Sequence, residues 1–198
     1  MKSLSANKLY DKGLKNTRHD AFHVMGEYPG EVAMAATHIL LVDDEAEFVE
    51  VMAERLAIRG YHVSCCSNGK DALTQLEQHA DIDVTVLDLK MPGMGGIETL
   101  EEIKKKHPLE QVIMLTGYST VSSATEAMKL GAYDYVVKPF DTDQLITLIN
   151  EAAARKKKFT DQLLEARQIP YISDRKREQL IAEITVAAAE GRRRTPAE

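Results

Sequence analysis

At 198 residues the chain has room for one domain of ordinary size with appendages, and two full domains would be cramped. Its net charge of −6 conceals an uneven spread: residues 37–150 hold 9 Lys and Arg against 19 Asp and Glu, whereas residues 151–198 hold 11 against 8. An acidic middle argues against a nucleic-acid surface there, because phosphate contacts come from clustered lysine and arginine. No apolar run approaches the roughly 18 residues that a membrane-spanning helix needs.

Residues 1–36 are polar and weakly periodic and contain Gly13, Gly26, Pro29 and Gly30, so they are expected to be poorly ordered. They lack the continuous apolar stretch of a secretory signal, and a cytoplasmic protein is expected. Met34, just ahead of the first strand, is a second candidate start of translation.

From His38 onward, β-rich runs alternate with amphipathic stretches five times, the pattern of a parallel α/β sheet. The strands read as HILLVD (38–43), YHVSCC (61–66), DVTVLD (83–88), QVIMLT (111–116) and YDYVVK (133–138). Three are nearly continuous apolar runs, as strands covered on both faces require. Cys65 and Cys66 are neighbours on a strand and point to opposite faces, which disfavours a disulfide between them. The first helix, 45–60, sets Phe48, Val49, Met52 and Leu56 on one face and stops at Gly60. The second (about 68–79) starts at Asn68 as cap, the third (about 95–107) runs into Pro108, and the fourth (about 119–130) ends at Gly131. The fifth begins near Asp141 and carries Leu145, Leu148 and Ile149.

Beyond Asn150 the spacing of Leu145, Ile149, Ala152, Lys156, Phe159, Leu163 and Ala166 alternates between four and three, the period of a coiled-coil seam. A dimerising coiled coil and a long fifth helix with a partly solvated surface fit this pattern equally well. Pro170 interrupts it, a last helix spans about 174–190, and the arginines at 192–194 read as a solvated end.

In such a sheet, ligands bind outside the carboxyl ends of the strands, where the strand order reverses. The first strand ends in Asp43 and Asp44, the third in Asp88, the fourth in Thr116 and the fifth in Lys138. Taken singly, each residue has a bland reading: Asp44 is equally a helix N-cap, and a threonine at a strand end usually satisfies backbone. Together they converge on one rim. Carboxylates about 4 Å apart repel by roughly 4 kcal/mol per pair at an effective dielectric near 20, and a divalent cation resolves the conflict. An all-oxygen site of this kind suits Mg²⁺, which points to phosphoryl chemistry with one carboxylate as nucleophile. Lys138 would pair with the phosphoryl charge and the Thr116 hydroxyl would donate to another of its oxygens.

The motifs VDDE (42–45), VLDLKMPGMGGIE (86–98), MLTGYS (114–119) and GAYDYVVKPF (131–140) make residues 37–150 resemble the receiver family of two-component signalling. The resemblance is greatest to receivers that precede enhancer-binding activator modules. It implies a doubly wound five-stranded parallel sheet of order 2-1-3-4-5 flanked by five helices, here with a helical C-terminal extension over 151–198. It further implies that Asp88 is the phosphoacceptor and that Asp43, Asp44, Asp88 and the backbone carbonyl of Lys90 hold Mg²⁺. Thr116 and Lys138 would bind the phosphoryl group, and the bond between Lys138 and Pro139 would be cis. Tyr135 would be the switch that alters the face formed by the fourth helix, fifth strand and fifth helix; otherwise it is a half-buried strand aromatic. Lys90 and Tyr118 stand where related receivers tune hydrolysis of the aspartyl phosphate.

The implied partners are a histidine kinase or phosphotransfer protein and an unidentified downstream protein, with a homodimer through the C-terminal helix left open. The enzyme alternative, a phosphohydrolase of the haloacid dehalogenase type, puts its nucleophile on the first strand with a second acid two residues later, whereas Asp43 and Asp44 are adjacent. A regulator that catalyses its own phosphotransfer and slow dephosphorylation, rather than a conventional enzyme, is therefore expected. A receiver without chemistry would not keep Asp88, Thr116 and Lys138 together. The residues after the fifth helix are too few for a winged helix, and one helix past Pro170 does not make a helix-turn-helix, so output by protein contact is expected over DNA binding.

Overall fold

The computed structural model describes residues 36–117 and 121–191. The expected disorder of 1–36, the role of Tyr118 and the arginines at 192–194 lie outside the described residues, save for Ala36. In chain order the elements are β1 (His38–Val42), α1 (Ala46–Ile58), β2 (His62–Cys66), α2 (Gly69–Gln78), β3 (Val84–Asp88), α3 (Gly96–Lys106), β4 (Gln111–Thr116), α4 (Val121–Lys129), β5 (Asp134–Val137), α5 (Thr142–Gln168) and α6 (Asp174–Ala189). The sheet is parallel throughout and ordered β2-β1-β3-β4-β5.

Strand pleating divides the apolar runs between two cores, because successive side chains point to opposite faces. Ile39 and Leu41 of β1, Val84 and Val86 of β3, and Ile113 and Leu115 of β4 face α1 and α5, where Met52, Leu56, Leu145, Ile149 and Ala152 meet them. Leu40, Val42, Leu87, Val112 and Met114 point the other way, onto Leu73, Leu76, Leu100, Ile103 and Ala127 of α2, α3 and α4. The same alternation puts Cys65 and Cys66 on opposite sides, and neither is joined in a disulfide. Burial pushes the Cys66 thiol up to about 12, so it is an inert small core residue.

Helix starts follow local chemistry. The Asn68 side chain accepts from the Asp71 N–H, and Asp141 accepts from the Asp143 N–H, which satisfies donors that a helix N-terminus leaves unpaired. The cap reading of Asp44 does not hold: Glu45 occupies the N-cap of α1, and the Glu45 N–H donates to Asp43 Oδ1 at 2.9 Å.

α5 runs unbroken for 27 residues, well past the end of the sheet-covering segment. Its four-three stripe changes partner along its length. Leu145, Ile149 and Ala152 are buried under the sheet, and farther on α6 packs against α5, with Ala166 and Ala188 buried. Arg155 reaches from α5 to the carbonyls of Ala187 and Glu190, satisfying oxygens that the end of α6 would otherwise leave open. That end meets the corner between α4 and β5. Gly131 there has φ +95°, and a Cβ at this position would collide with the Ala189 carbonyl oxygen, so both its backbone angle and the close approach favour glycine.

Lys156, the polar member of the stripe, accounts for its own place. Its ammonium lies 2.5 Å from Glu110 Oε2 and also donates to the Ile82 carbonyl oxygen. Glu110 is 2% exposed and accepts from the Thr85 hydroxyl at 2.8 Å. Removing one partner of a buried ion pair strands the other charge. Lys156→Met is therefore expected to cost about 3 kcal/mol in urea unfolding, whereas Lys157→Met, on the exposed side of the same helix, should stay within about 0.5 kcal/mol.

Candidate functional site

The register of the sheet sets the carboxyl ends of β1, β3, β4 and β5 side by side. Asp88 pairs with Leu115 and Thr116 with Val137, while the Asp43 N–H donates to the Cys66 carbonyl and the Lys138 N–H to the Thr116 carbonyl at 2.7 Å. One further residue along β1 and β5 then presents Asp43 and Lys138. The order reverses between β1 and β3, where a doubly wound sheet opens its crevice, and Asp43 and Asp88 flank that gap.

Lys138 binds the two acids together. Its Nζ lies 2.5 Å from Asp43 Oδ2 and 3.1 Å from Asp88 Oδ1. Both carboxylates are almost fully buried, at 1% and 5% exposure. Burial raises the pKa of Asp43, assisted by the charge of Asp88 and opposed by the hydrogen bonds from Lys138 and the Glu45 N–H. On Lys138 burial acts to lower the pKa, but the hydrogen bonds and charges of Asp43 and Asp88 outweigh it and hold the ammonium above its ordinary value. The two directions agree: one cation serves two acids, so it is held firmly while each acid receives only a share.

Asp88 Oδ2 accepts from the Lys90 N–H at 2.6 Å, so the turn after β3 fixes this carboxylate. Gly96 allows the next helix to start close by, since a Cβ there would collide with the Asp88 carbonyl oxygen. Thr116 is buried at the end of β4. Asp44 is exposed at the end of β1. Tyr135 sits half-buried in β5 against the core on the α4 side. The bond between Lys138 and Pro139 is cis, as the resemblance implied.

Two neighbours of Lys138 were not singled out from the sequence as site residues. Glu45 Oε1 lies 3.3 Å from its Nζ, and the ammonium stands 4.1 Å over the Phe48 ring, an arrangement that attracts a cation to the ring face. Phe48 in turn meets Phe140 edge to face, with centroids 6.2 Å apart. The VDDE run marked Glu45 as a third adjacent acid, but Phe48 carried only the signal of an apolar helix position.

Fold and rim define a doubly wound α/β protein with buried acids and an ammonium at its topological switch point. Comparison with known proteins makes this specific: the model of the response regulator receiver domain matches residues 39–150, and the chain belongs to that family, whose members are phosphoacceptor regulators of two-component signalling. The regulatory protein AtoC of Escherichia coli is 39% identical over 120 residues, covering 60% of this chain and 25% of AtoC. A putative NtrX-like response regulator of Rickettsia bellii is 36% identical, over 60% of this chain and 25% of that protein. The chain thus spans about a quarter of the length of the curated relatives it matches. Among solved structures, a receiver domain protein of Clostridium thermocellum is 38% identical with a TM-score of 0.59, covering 61% of this chain and 97% of that one. The response regulator TrrA of Thermotoga maritima, in complex with Mg²⁺–BeF, is 36% identical with a TM-score of 0.53, covering 59% and 98%.

Among the described residues no helix is long and apolar enough to cross a membrane.

Charge burial at Asp43 has a measurable consequence. Its folded pKa lies above the unfolded value of 3.8, so its favourable contribution is complete below 3.8 and is lost as pH rises through the folded value. Without divalent cations, Asp43→Asn, which leaves Lys138 on Asp88 and Glu45, should raise the thermal midpoint at neutral pH. The gap from wild type should close as pH falls toward 3.8 in melts followed by circular dichroism.

Proposed function

We propose that the protein is a phosphorylation-activated switch in which Asp88 accepts a phosphoryl group from the phosphohistidine of a histidine kinase or phosphotransfer protein. The observation that carries this reading is the ammonium of Lys138 shared between the buried carboxylates of Asp43 and Asp88. An Asp88 oxygen attacks phosphorus, the phosphorus–nitrogen bond of the donor breaks, and the leaving imidazole keeps the electron pair and takes up a proton. The Lys90 N–H orients the carboxylate for this attack. Lys138 moves its charge from the carboxylates to the phosphoryl oxygens, and the Thr116 hydroxyl donates to another of them.

The donor set fits Mg²⁺: Asp43, Asp44 and Asp88 supply carboxylates and Lys90 a backbone carbonyl, all hard oxygen ligands. When bound, Mg²⁺ would neutralise the acids and the phosphoryl charge together. The similar TrrA, described as a complex with Mg²⁺–BeF, supports this assignment. The protein carries out its own phosphotransfer and slow dephosphorylation and turns over no separate substrate.

Output passes through the face formed by α4, β5 and α5. Tyr135 is seated in β5 beside that face, so a shift of Thr116 toward the phosphoryl group would open space for its ring, a two-state packing change driven by local charge. The signalling unit is 37–150, and the basic extension over 151–198 serves contact with a downstream protein or a second copy of the chain, for which Leu164, Tyr171 and Val186 offer exposed apolar surface. We place this activity in the cytoplasm and assign it no nucleic-acid partner.

Incubation with acetyl phosphate and Mg²⁺, read by intact mass, is expected to add one phosphoryl group to the wild type and none to Asp88→Asn, and none to either when the metal is chelated. Thr116→Ala should slow labelling by about a hundredfold. A labelled Asp88→Asn, or a wild type that stays unmodified, sinks the assignment.

A further inference from the structure

At the opposite end of the sheet from Asp88, the strands begin with a group of side chains of metal-ligating type that the phosphoryl chemistry does not use. His38 opens β1 and His62 opens β2, and the parallel register pairs them directly. Their imidazoles stack with centroids 4.0 Å apart and planes inclined at 37°. Two neutral rings tolerate this approach, and two imidazolium ions would repel. Asp81, in the turn after α2, places Oδ2 3.1 Å from His38 Nδ1. One donor atom from each of His38, His62 and Asp81 falls within 4.8 Å of the other two.

We propose that His38, His62 and Asp81 form a binding site for a divalent transition metal of the zinc class. Two imidazoles and one carboxylate are the mixed nitrogen and oxygen set that suits such ions, whereas Mg²⁺ prefers oxygen alone. Three protein ligands leave room for water to complete the coordination.

The outer contacts of His38 favour the role. Its Nε2 lies 2.9 Å from Ser64 Oγ, and a hydroxyl can either donate or accept. Ser64 can therefore accept from Nε2–H and leave the Nδ1 lone pair to a metal, the kind of second contact that orients a ligating histidine. The His38 N–H is held by Asp83 Oδ2 at 2.8 Å, so this ligand stands on a fixed backbone. His62 and Asp81 are exposed, which leaves the site open to solution. His79 stands at its rim, with Nδ1 4.0 Å from Asp81 Oδ1.

Such an ion would tie the edge strand β2 to β1 and to the turn before β3. It would act about 17 Å from the phosphoryl rim, the length of a five-residue strand, and so would leave the chemistry there intact.

Isothermal titration of the metal-free full chain with ZnCl₂, in buffer containing excess Mg²⁺ to occupy the acidic rim, tests the proposal. One zinc per chain in the micromolar range or tighter is expected, together with a rise in thermal midpoint. His62→Ala and Asp81→Asn, both surface changes, should each weaken binding about tenfold or more and abolish the rise in midpoint, while labelling of Asp88 by acetyl phosphate proceeds as in the wild type. His19→Ala with His23→Ala should leave zinc binding unchanged. No zinc binding by the wild type, or undiminished binding by both His62→Ala and Asp81→Asn, overturns the assignment.

Discussion

Two carboxylates buried side by side are held in this fold by one ammonium. Lys138 contacts Asp43 and Asp88 at 2.5 and 3.1 Å, and without it the repulsion between the acids would add to the cost of burying each. The rest of the architecture can be understood as the means of delivering three side chains to that point. β1 and β3 must be neighbours to bring the acids together, and β5 must lie in register with β4 to extend the lysine across the rim. The α1 face must offer Phe48 beneath the ammonium. Parallel strands achieve this because their carboxyl ends all lie at one edge of the sheet.

The same arrangement makes the rim poised rather than comfortable. Asp43 is more easily protonated than a free aspartate, while the lysine is held more strongly as a cation. A site with this imbalance gains from any added positive charge near the acids and from any added negative charge near the lysine. A hard cation and a phosphoryl group, the ligands proposed for this rim, would supply both.

Much of the fold was legible because its signals were local and repeated. The continuous runs in β1, β3 and β4 required cover on two faces, Asn68 and Asp141 announced helix starts, and strand ends named Asp43, Asp88, Thr116 and Lys138 without coordinates. What escaped was decided by distant partners. Lys156 looked like a flaw in an apolar stripe, because its reason is Glu110, 46 residues earlier. The stripe itself fitted a two-chain seam as well as a long helix, because spacing does not say that α6 of the same chain covers part of it. Phe48 beneath the ammonium was likewise hidden, since approach across α1 depends on how that helix is seated. His38 and His62 read only as strand residues, and their pairing requires the register between β1 and β2.

The return of α6 along α5 changes where the polypeptide leads. A helix of 27 residues is about 40 Å long, and a straight exit from its tip would suspend whatever comes next far from the sheet. Instead Gly191 approaches the carbonyls of Met128 and Ala132, so the hairpin cancels most of the distance α5 had gained. At Gly191 the backbone therefore lies beside the junction of α4 and β5 instead of at the tip of a long helix, bordering the strand whose face is proposed for output.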